Sequence, residues 1–184
     1  MRRTRRTSRR WLAGTGAVVL VAASAIITAS VRSSPAVHSQ SRFVTGTPEA
    51  GAPVQLDTTV YLPAVTPAPA VLLAHGFGGS KADLDTEARS LAQHGYVVLA
   101  YTARGFGRSG GLIHLDAPAY EVADASRLIS YLATLPQVRE DATGDPHVGV
   151  AGSSYGGGLA LLVSAYDKRV DAVAADITWN DLSE

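Results

Sequence analysis

The chain has 184 residues, of which 46% are hydrophobic, and it contains no cysteine. This length fits one globular domain, and the absence of cysteine excludes disulfide frameworks, thiolate metal sites and cysteine nucleophiles. Basic and acidic side chains balance at sixteen each, but seven of the basic ones lie in residues 1–32, which have no Asp or Glu. The remainder is net negative, which disfavours nucleic acid as a partner because its phosphates would repel it.

An arginine-rich start is followed by twenty uncharged residues, 12–31 (LAGTGAVVLVAASAIITASV). A positive segment before an apolar one is typical of an export signal or an uncleaved membrane anchor, and the pentapeptide SRRWL at residues 8–12 resembles a twin-arginine signal. An A-x-A cleavage site is present at residues 23–25, yet twenty apolar residues are also long enough to cross a bilayer. Cleaved signal and anchor therefore both stay open for residues 1–32, and either places the rest outside the cytoplasmic membrane.

Residues 33–56 are rich in Ser, Pro, Gly and Ala and are predicted to be a linker. Strands and helices then alternate through residues 57–184. The predicted strands are 58–62, 70–74, 96–101, 148–151 and 170–175, and the predicted helices are 81–94, 118–135 and 155–166. This alternation predicts an α/β fold with a mostly parallel sheet covered by helices on both faces.

The second predicted helix shows the clearest amphipathic pattern. Ala125, Leu128, Ile129 and Leu132 share one apolar stripe, and the charged side chains of Glu121, Asp124 and Arg127 are predicted to lie opposite it.

In such a sheet, ligands bind beyond the carboxyl ends of the strands, and a glycine-rich loop there has the form of a nucleophile turn. Residues 151–158 read AGSSYGGG, which fits G-x-S-x-G with Gly152, Ser154 and Gly156 between a predicted strand and a predicted helix. That context forces the central serine into a strained, exposed turn. Ser154, rather than Ser153, is therefore the predicted catalytic nucleophile.

Two backbone N–H groups are predicted to form the oxyanion hole. One belongs to Tyr155, which follows the nucleophile at the start of a helix, where free N–H groups and the positive end of the dipole point outward. The other belongs to Phe77, in the loop HGFGG that follows the strand 70–74.

A third glycine-rich loop contains G-x-G-x-x-G at Gly105, Gly107 and Gly110. This pattern also occurs in dinucleotide-binding sites, where the glycines open a helix directly. Here residues 112–118 intervene before the next predicted helix, so a loop shaping the rim of the active site is favoured over a cofactor site.

Taken together, HGFGGS, ARGFGRSGG, EVADA, GSSYGGG and DITWNDL resemble the α/β-hydrolase fold, and within it the X-prolyl dipeptidyl-peptidase family, which also contains cocaine-esterase-type acyl hydrolases. The resemblance extends over residues 54–184. It implies that Ser154 is the acylated residue and that the oxyanion donors are at Tyr155 and Phe77. It also implies a cap segment after residues 179–181 and, in many members, a separate β-rich domain.

The chain departs from that pattern in its histidines. The triad of this fold runs Ser, then Asp or Glu, then His along the chain, but all five histidines precede Ser154, at positions 38, 75, 94, 114 and 147. His75 is expected to fix its own loop by hydrogen bonding. Asp176 and Asp181 follow the last predicted strand, but an acid without a histidine to orient has no catalytic role.

We therefore expect the chain to be the amino-terminal part of an exported or anchored serine hydrolase, truncated before its triad Asp and His, with little activity by itself. The expected substrate is a small peptide or an acyl ester, and the chemistry requires no metal or organic cofactor. An exposed sheet edge and poor solubility are also expected. The alternatives are a carboxylesterase and a non-catalytic extracytoplasmic binding module. Oligomeric state is not predicted, and missing strands supplied by a partner chain are a further possibility.

Overall fold

The computed structural model describes residues 36–179, so the predicted signal or anchor at 1–32 and the residues after Trp179 lie outside the described part. The strands are β1 (His38–Thr45), β2 (Gln55–Leu62), β3 (Ala70–Ala74), β4 (Val97–Tyr101), β5 (Glu140–Ala142), β6 (Asp145–Pro146), β7 (Val148–Ser153) and β8 (Val170–Asp176). The helices are α1 (Asp85–Gln93), α2 (Ala123–Ala133) and α3 (Tyr155–Tyr166). A π-helical turn at Pro118–Val122 leads directly into α2. Among these helices, none has the length and apolar character needed to cross a membrane.

Six strands form one sheet in the order β1-β2-β4-β3-β7-β8. The pairs β1–β2 and β2–β4 are antiparallel, whereas β4, β3, β7 and β8 run parallel to one another. The short strands β5 and β6 form a separate hairpin. The α/β fold with a mostly parallel sheet is therefore confirmed for the described residues.

The helices cover both faces of this sheet. Side chains of α2 and α3, including Leu128, Leu132 and Leu159, pack with Leu72 and Leu99 in the larger core. On the other face, α1 packs its small residues Ala88 and Ala92 against the sheet. β3 and β4 consist of apolar residues and are almost wholly buried, as expected of parallel strands covered on both sides.

The linker prediction for residues 33–56 needs a correction, because β1 lies within it and β2 begins at Gln55. The segment is predicted to be irregular because it is rich in Ser, Pro, Gly and Ala. β1 is nonetheless held by backbone pairing with β2 along its whole length, while its side chains stay mostly exposed. The folded domain therefore begins about twenty residues earlier than predicted.

The order in which strands are added to the sheet reverses at β3, although the strands stay parallel. From β3 it passes through α1 to β4 on one side, and from β4 through α2 to β7 on the other side of β3. Such a switch point opens a crevice beyond the carboxyl ends of the two strands. Ala74 is level with Gly152 in the pairing of β3 with β7, so the residues that follow each strand meet in this crevice.

Candidate active site

The loop after β3 and the turn after β7 are in contact. A Cβ placed on Gly76 would lie 3.7 Å from the Ser153 carbonyl oxygen and 3.8 Å from the Ser154 Cβ. The structure therefore brings together the two loops that the sequence analysis assigned to one site.

Ser154 forms the turn between β7 and α3. Its backbone has φ 55° and ψ −118°, a conformation that a residue with a Cβ rarely adopts. The side chain is exposed, whereas Ser153 is half-buried. Two hydrogen bonds hold the turn: the Ser154 N–H donates to the Asp176 carbonyl at 2.9 Å, and the Gly158 N–H donates to the Ser154 carbonyl at 3.0 Å. The strained, exposed turn predicted for Ser154 is therefore present.

The glycines flanking Ser154 allow strand and helix to approach closely. A Cβ on Gly152 would lie 2.5 Å from the carbonyl carbon of Gly156 and 2.8 Å from the Ala74 oxygen. A Cβ on Gly156 would collide with that same Ala74 oxygen and would lie 2.9 Å from the His75 oxygen. Because these are backbone atoms that cannot rotate away, only glycine fits at both positions.

The predicted oxyanion donors lie on the two contacting loops. Within residues 36–179, neither the Phe77 N–H nor the Tyr155 N–H donates a hydrogen bond to another protein group. Tyr155 is the first residue of α3, so its N–H lies at the positive end of that helix. The Phe77 and Tyr155 rings meet edge to face with centroids 5.6 Å apart.

An apolar cleft adjoins this turn. It has a volume of about 350 Å³ and is lined by Phe77, Leu115, Tyr155 and Trp179. Phe77 is 61% exposed, so an apolar group of a ligand would find aromatic surface next to the Ser154 turn.

His75 fixes the first loop and is not a free base. Its Nε2 accepts the Ala103 N–H at 2.9 Å, so the proton of the neutral ring is on Nδ1, which donates to the Gly76 carbonyl at 2.7 Å. Burial lowers the pKa of this imidazole, and the bond to Gly76 opposes that shift only in part. His75 therefore stays neutral with both nitrogens occupied, as its predicted role in fixing the loop requires.

The other histidines have partners elsewhere or lie far from the turn. His114 Nε2 is 2.6 Å from Glu49 Oε1, His94 Nδ1 is 2.7 Å from the Ser90 carbonyl, and His147 Nδ1 is 2.8 Å from Asp141 Oδ2. His38 begins β1, four strands away from β7. In the described part of the chain, no histidine makes a hydrogen bond to Ser154.

Asp176, one of the two acids considered for a triad, has no histidine partner within residues 36–179. Asp176 ends β8 with an exposed side chain, and its contact with the nucleophile turn is through its backbone carbonyl. Asp181 lies outside the described residues.

The third glycine-rich loop folds back onto β2 and does not open a helix. The Gly105 N–H donates to the Gly110 carbonyl at 3.0 Å, and the Gly110 N–H donates to Gln55 at 2.9 Å. The Phe106 ring contacts His75 and Phe77, with centroids 5.4 and 5.2 Å away. The loop therefore shapes the rim of the site, which is the role that the sequence favours over dinucleotide binding.

The prediction for the polar face of α2 was wrong at two positions. Glu121 and Asp124 are buried, and only Arg127 is exposed. Asp124 accepts two hydrogen bonds from the buried Arg104 guanidinium, at 2.7 and 2.8 Å, and Glu121 accepts the backbone N–H groups of His114 and Ala117. The available sequence signal was a charged residue, Arg104, in the loop that follows a buried strand, since a charge buried there needs an opposite charge as its partner.

Asp116 was also missed by the sequence analysis. It and Leu115 both have positive φ, 59° and 52°, in the loop that borders the cleft. The Asp116 carboxyl is only 2% exposed, and neither of its oxygens has a hydrogen-bond partner within residues 36–179. Burial, with the charge of Glu121 as a smaller contribution, raises the pKa of Asp116 to about 7.

Comparison with known proteins agrees with this geometry. Residues 51–184 match the model of the X-Pro dipeptidyl-peptidase (S15 family). An uncharacterized protein of Pseudomonas aeruginosa, PA2218, is 31% identical over 114 residues, which are 61% of this chain and 29% of that protein. Its crystal structure superposes with a TM-score of 0.59 over 73% of this chain and 41% of the other.

Two further relatives carry functional names. The quorum-quenching protein AidA of Acinetobacter baumannii is 31% identical over 146 residues, 73% of this chain and 46% of that protein. The α/β-hydrolase GrgF of a Penicillium species is 26% identical in structure-based comparison, with a TM-score of 0.60 over 73% of this chain and 44% of the other. The chain spans 29% to 38% of the length of the first curated relatives that it matches.

Proposed function

Because the chain belongs to the X-Pro dipeptidyl-peptidase family of α/β-hydrolases, we propose that it carries the nucleophile of a serine hydrolase that cleaves an amide or ester bond. The observation that carries the proposal is the turn at Ser154, which is exposed and has φ 55° between β7 and α3. A strained serine at that position is the arrangement on which acyl-transfer chemistry depends in this fold.

The chemistry follows from the groups around the turn. Ser154 Oγ attacks the substrate carbonyl, and the charge that develops on the carbonyl oxygen is stabilised by the N–H groups of Tyr155 and Phe77. A base takes the Ser154 proton and passes it to the leaving group, and water then releases the acyl group from the enzyme. These steps use protein groups and water, without a metal or an organic cofactor.

The described residues do not place a base beside the Ser154 hydroxyl. All five histidines of the sequence are engaged elsewhere or distant from Ser154. We therefore propose that the triad histidine and acid are supplied by polypeptide beyond the 184 residues. On this proposal the 184-residue chain alone has little or no hydrolytic activity.

The cleft favours a small apolar group next to the scissile bond. Its lining of Phe77, Leu115, Tyr155 and Trp179 suits a proline ring, which packs on aromatic side chains and needs no hydrogen-bond donor. We therefore propose a small X-prolyl peptide as the substrate, with a simple acyl ester as the alternative.

Hydrolysis of a matched substrate pair tests the proposed reaction. The protein from the complete reading frame is assayed with an X-prolyl anilide and with a nitrophenyl ester, beside its Ser154→Ala and Ser153→Ala variants. We expect Ser154→Ala to lose at least about 10³-fold in kcat/KM, since it removes the nucleophile, and Ser153→Ala to keep most of it. If only the ester is hydrolysed, the protein is an esterase and not a peptidase. Equal rates for the wild type and Ser154→Ala would contradict the assignment as a serine hydrolase.

A binding module is the second candidate, favoured by the lack of a histidine beside Ser154 within residues 36–179. In that case the cleft would hold a peptide or lipid-like ligand without turnover, and Ser154→Ala would change neither affinity nor any rate.

We also propose export for the mature domain, on the basis of the basic and apolar character of residues 1–32. Cell fractionation of the wild type beside an Arg9→Lys, Arg10→Lys double variant tests this. Twin-arginine export predicts that the variant is retained in the cytoplasm, and an unaffected distribution would exclude that route.

A further inference from the structure

A histidine and two aspartates converge at the edge of the sheet opposite Ser154. Asp141 belongs to β5, His147 immediately precedes β7, and Asp171 is the second residue of β8. Since β7 connects His147 to Ser154, the two are about 23 Å apart at about 3.3 Å per residue. This cluster is therefore separate from the candidate active site.

Each of the three side chains places one possible ligand atom close to those of the other two. His147 Nδ1 is 2.8 Å from Asp141 Oδ2 and 3.7 Å from Asp171 Oδ2, and the three ligand atoms all lie within 4.8 Å of one another. Ligands of a tetrahedral zinc ion lie about 3.4 Å apart, given bonds of about 2.1 Å. The separations of 2.8 and 3.7 Å from His147 Nδ1 lie on either side of that spacing.

The backbone positions two of these side chains. Asp171 Oδ2 also accepts the Val148 N–H at 2.8 Å, which orients the carboxylate toward His147. The His147 N–H donates to the Arg139 carbonyl at 2.8 Å, which fixes this residue against the β5–β6 hairpin. Hydrogen bonds of this kind are what orient metal ligands in proteins.

The cluster also has an excess of negative charge. In the described part of the chain, His147 is the only basic group paired with Asp141 or Asp171. Arg169, two residues before Asp171, is already bound to Asp167 at 2.6 Å. Two carboxylates therefore share one imidazole, and a divalent cation would balance their negative charge.

We propose that Asp141, His147 and Asp171 bind a divalent transition-metal ion of the zinc type. An imidazole ligand favours such ions over magnesium and calcium, which prefer all-oxygen sites. The ion replaces the proton on Nδ1, and water completes its coordination. Because its ligands come from the hairpin and from the starts of β7 and β8, the ion joins the hairpin to the sheet edge and stabilises the fold without entering the reaction at Ser154.

Calorimetric titration of the full chain with zinc chloride alone tests the proposal. We expect one site, and a loss of affinity of at least about 100-fold in His147→Ala, since the loss even of an outer partner costs 10- to 100-fold. Asp171→Asn should also weaken binding strongly. Asp145→Asn is the matched control, because it removes a carboxylate from the same hairpin that is not one of the three ligands.

Thermal unfolding gives a second readout that does not depend on activity. An ion that binds only the folded state raises the melting temperature. Zinc should therefore stabilise the wild type and Asp145→Asn, but not His147→Ala. The proposal is overturned if millimolar zinc does not bind the folded wild type, or if His147→Ala and Asp171→Asn bind it as tightly as the wild type does.

Discussion

At the scale of single residues, Ser154 combines an unfavourable backbone with an exposed side chain. A non-glycine residue at φ 55° costs of the order of 1–3 kcal/mol and persists only where surrounding contacts impose it. Here those contacts are the hydrogen bonds to Asp176 and from Gly158 and the packing of two glycines. The strain holds the hydroxyl beyond the sheet, where a substrate can reach it.

Asp116 makes the stability of the domain depend on pH. Its pKa is raised from 3.8 to about 7 in the folded protein, mainly by burial. Between those values the native state binds more protons than the unfolded state, so the free energy of unfolding falls as pH rises. We expect the wild type to lose stability from about pH 4 to about pH 7 relative to Asp116→Asn, whose amide does not ionise.

Urea denaturation of both proteins over this pH range measures the effect. If the stability difference between the two proteins does not change with pH, the pKa of Asp116 is the same in the folded and unfolded states and the prediction is wrong.

At the scale of elements, apolar runs identified the interior of the fold, and the exceptions have physical causes. β3 and α3 have the predicted bounds, 70–74 and 155–166, because both are apolar with clear ends. β1 was missed because it is an exposed edge strand with a polar sequence, held by backbone bonds that leave no side-chain pattern. The β5–β6 hairpin is too short to show periodicity.

The site could be predicted in part for similar reasons. Ser154 and its flanking glycines could be predicted because a strained turn between a strand and a helix requires small residues at fixed positions, which the motif records. Arg104 and Asp124 were not found, because their partnership joins a loop to a helix twenty residues away and leaves no local pattern. Burial of Asp116 depends in the same way on Tyr155 and Gly158, which contact it only in the folded chain.

The packing of β7 against α3 gives a prediction at this scale. Gly156→Ala should destabilise the domain by about 1–3 kcal/mol, because the new methyl group meets the backbone of Ala74 and His75. Gly149→Ala is the matched control in the same structural unit, where the nearest atom would be 3.5 Å away at an ordinary contact distance.

Chemical denaturation of the two variants measures both effects. We expect Gly149→Ala to remain within about 0.5 kcal/mol of the wild type. Equal stability of Gly156→Ala and Gly149→Ala would contradict the close approach of strand and helix.

At the scale of the whole molecule, the described residues contain the sheet centre, the strained turn at Ser154 and the predicted oxyanion donors. β8 lies at the edge of this sheet, and most of its residues are exposed. The chain also spans only 29% to 38% of the length of its first curated relatives. On the proposed function, further polypeptide supplies the base, the acid and part of the substrate pocket.

Labelling with a fluorophosphonate probe tests the central claim, that Ser154 is an activated nucleophile, most directly. The 184-residue chain and the protein from the complete reading frame are treated with the probe, each beside Ser154→Ala and Ser153→Ala variants, and the labelled peptide is identified by mass spectrometry. We predict labelling at Ser154 in the longer protein, its loss in Ser154→Ala alone, and little labelling of the 184-residue chain. Folded longer protein that remains unlabelled, or labelling that persists in Ser154→Ala, would contradict the assignment.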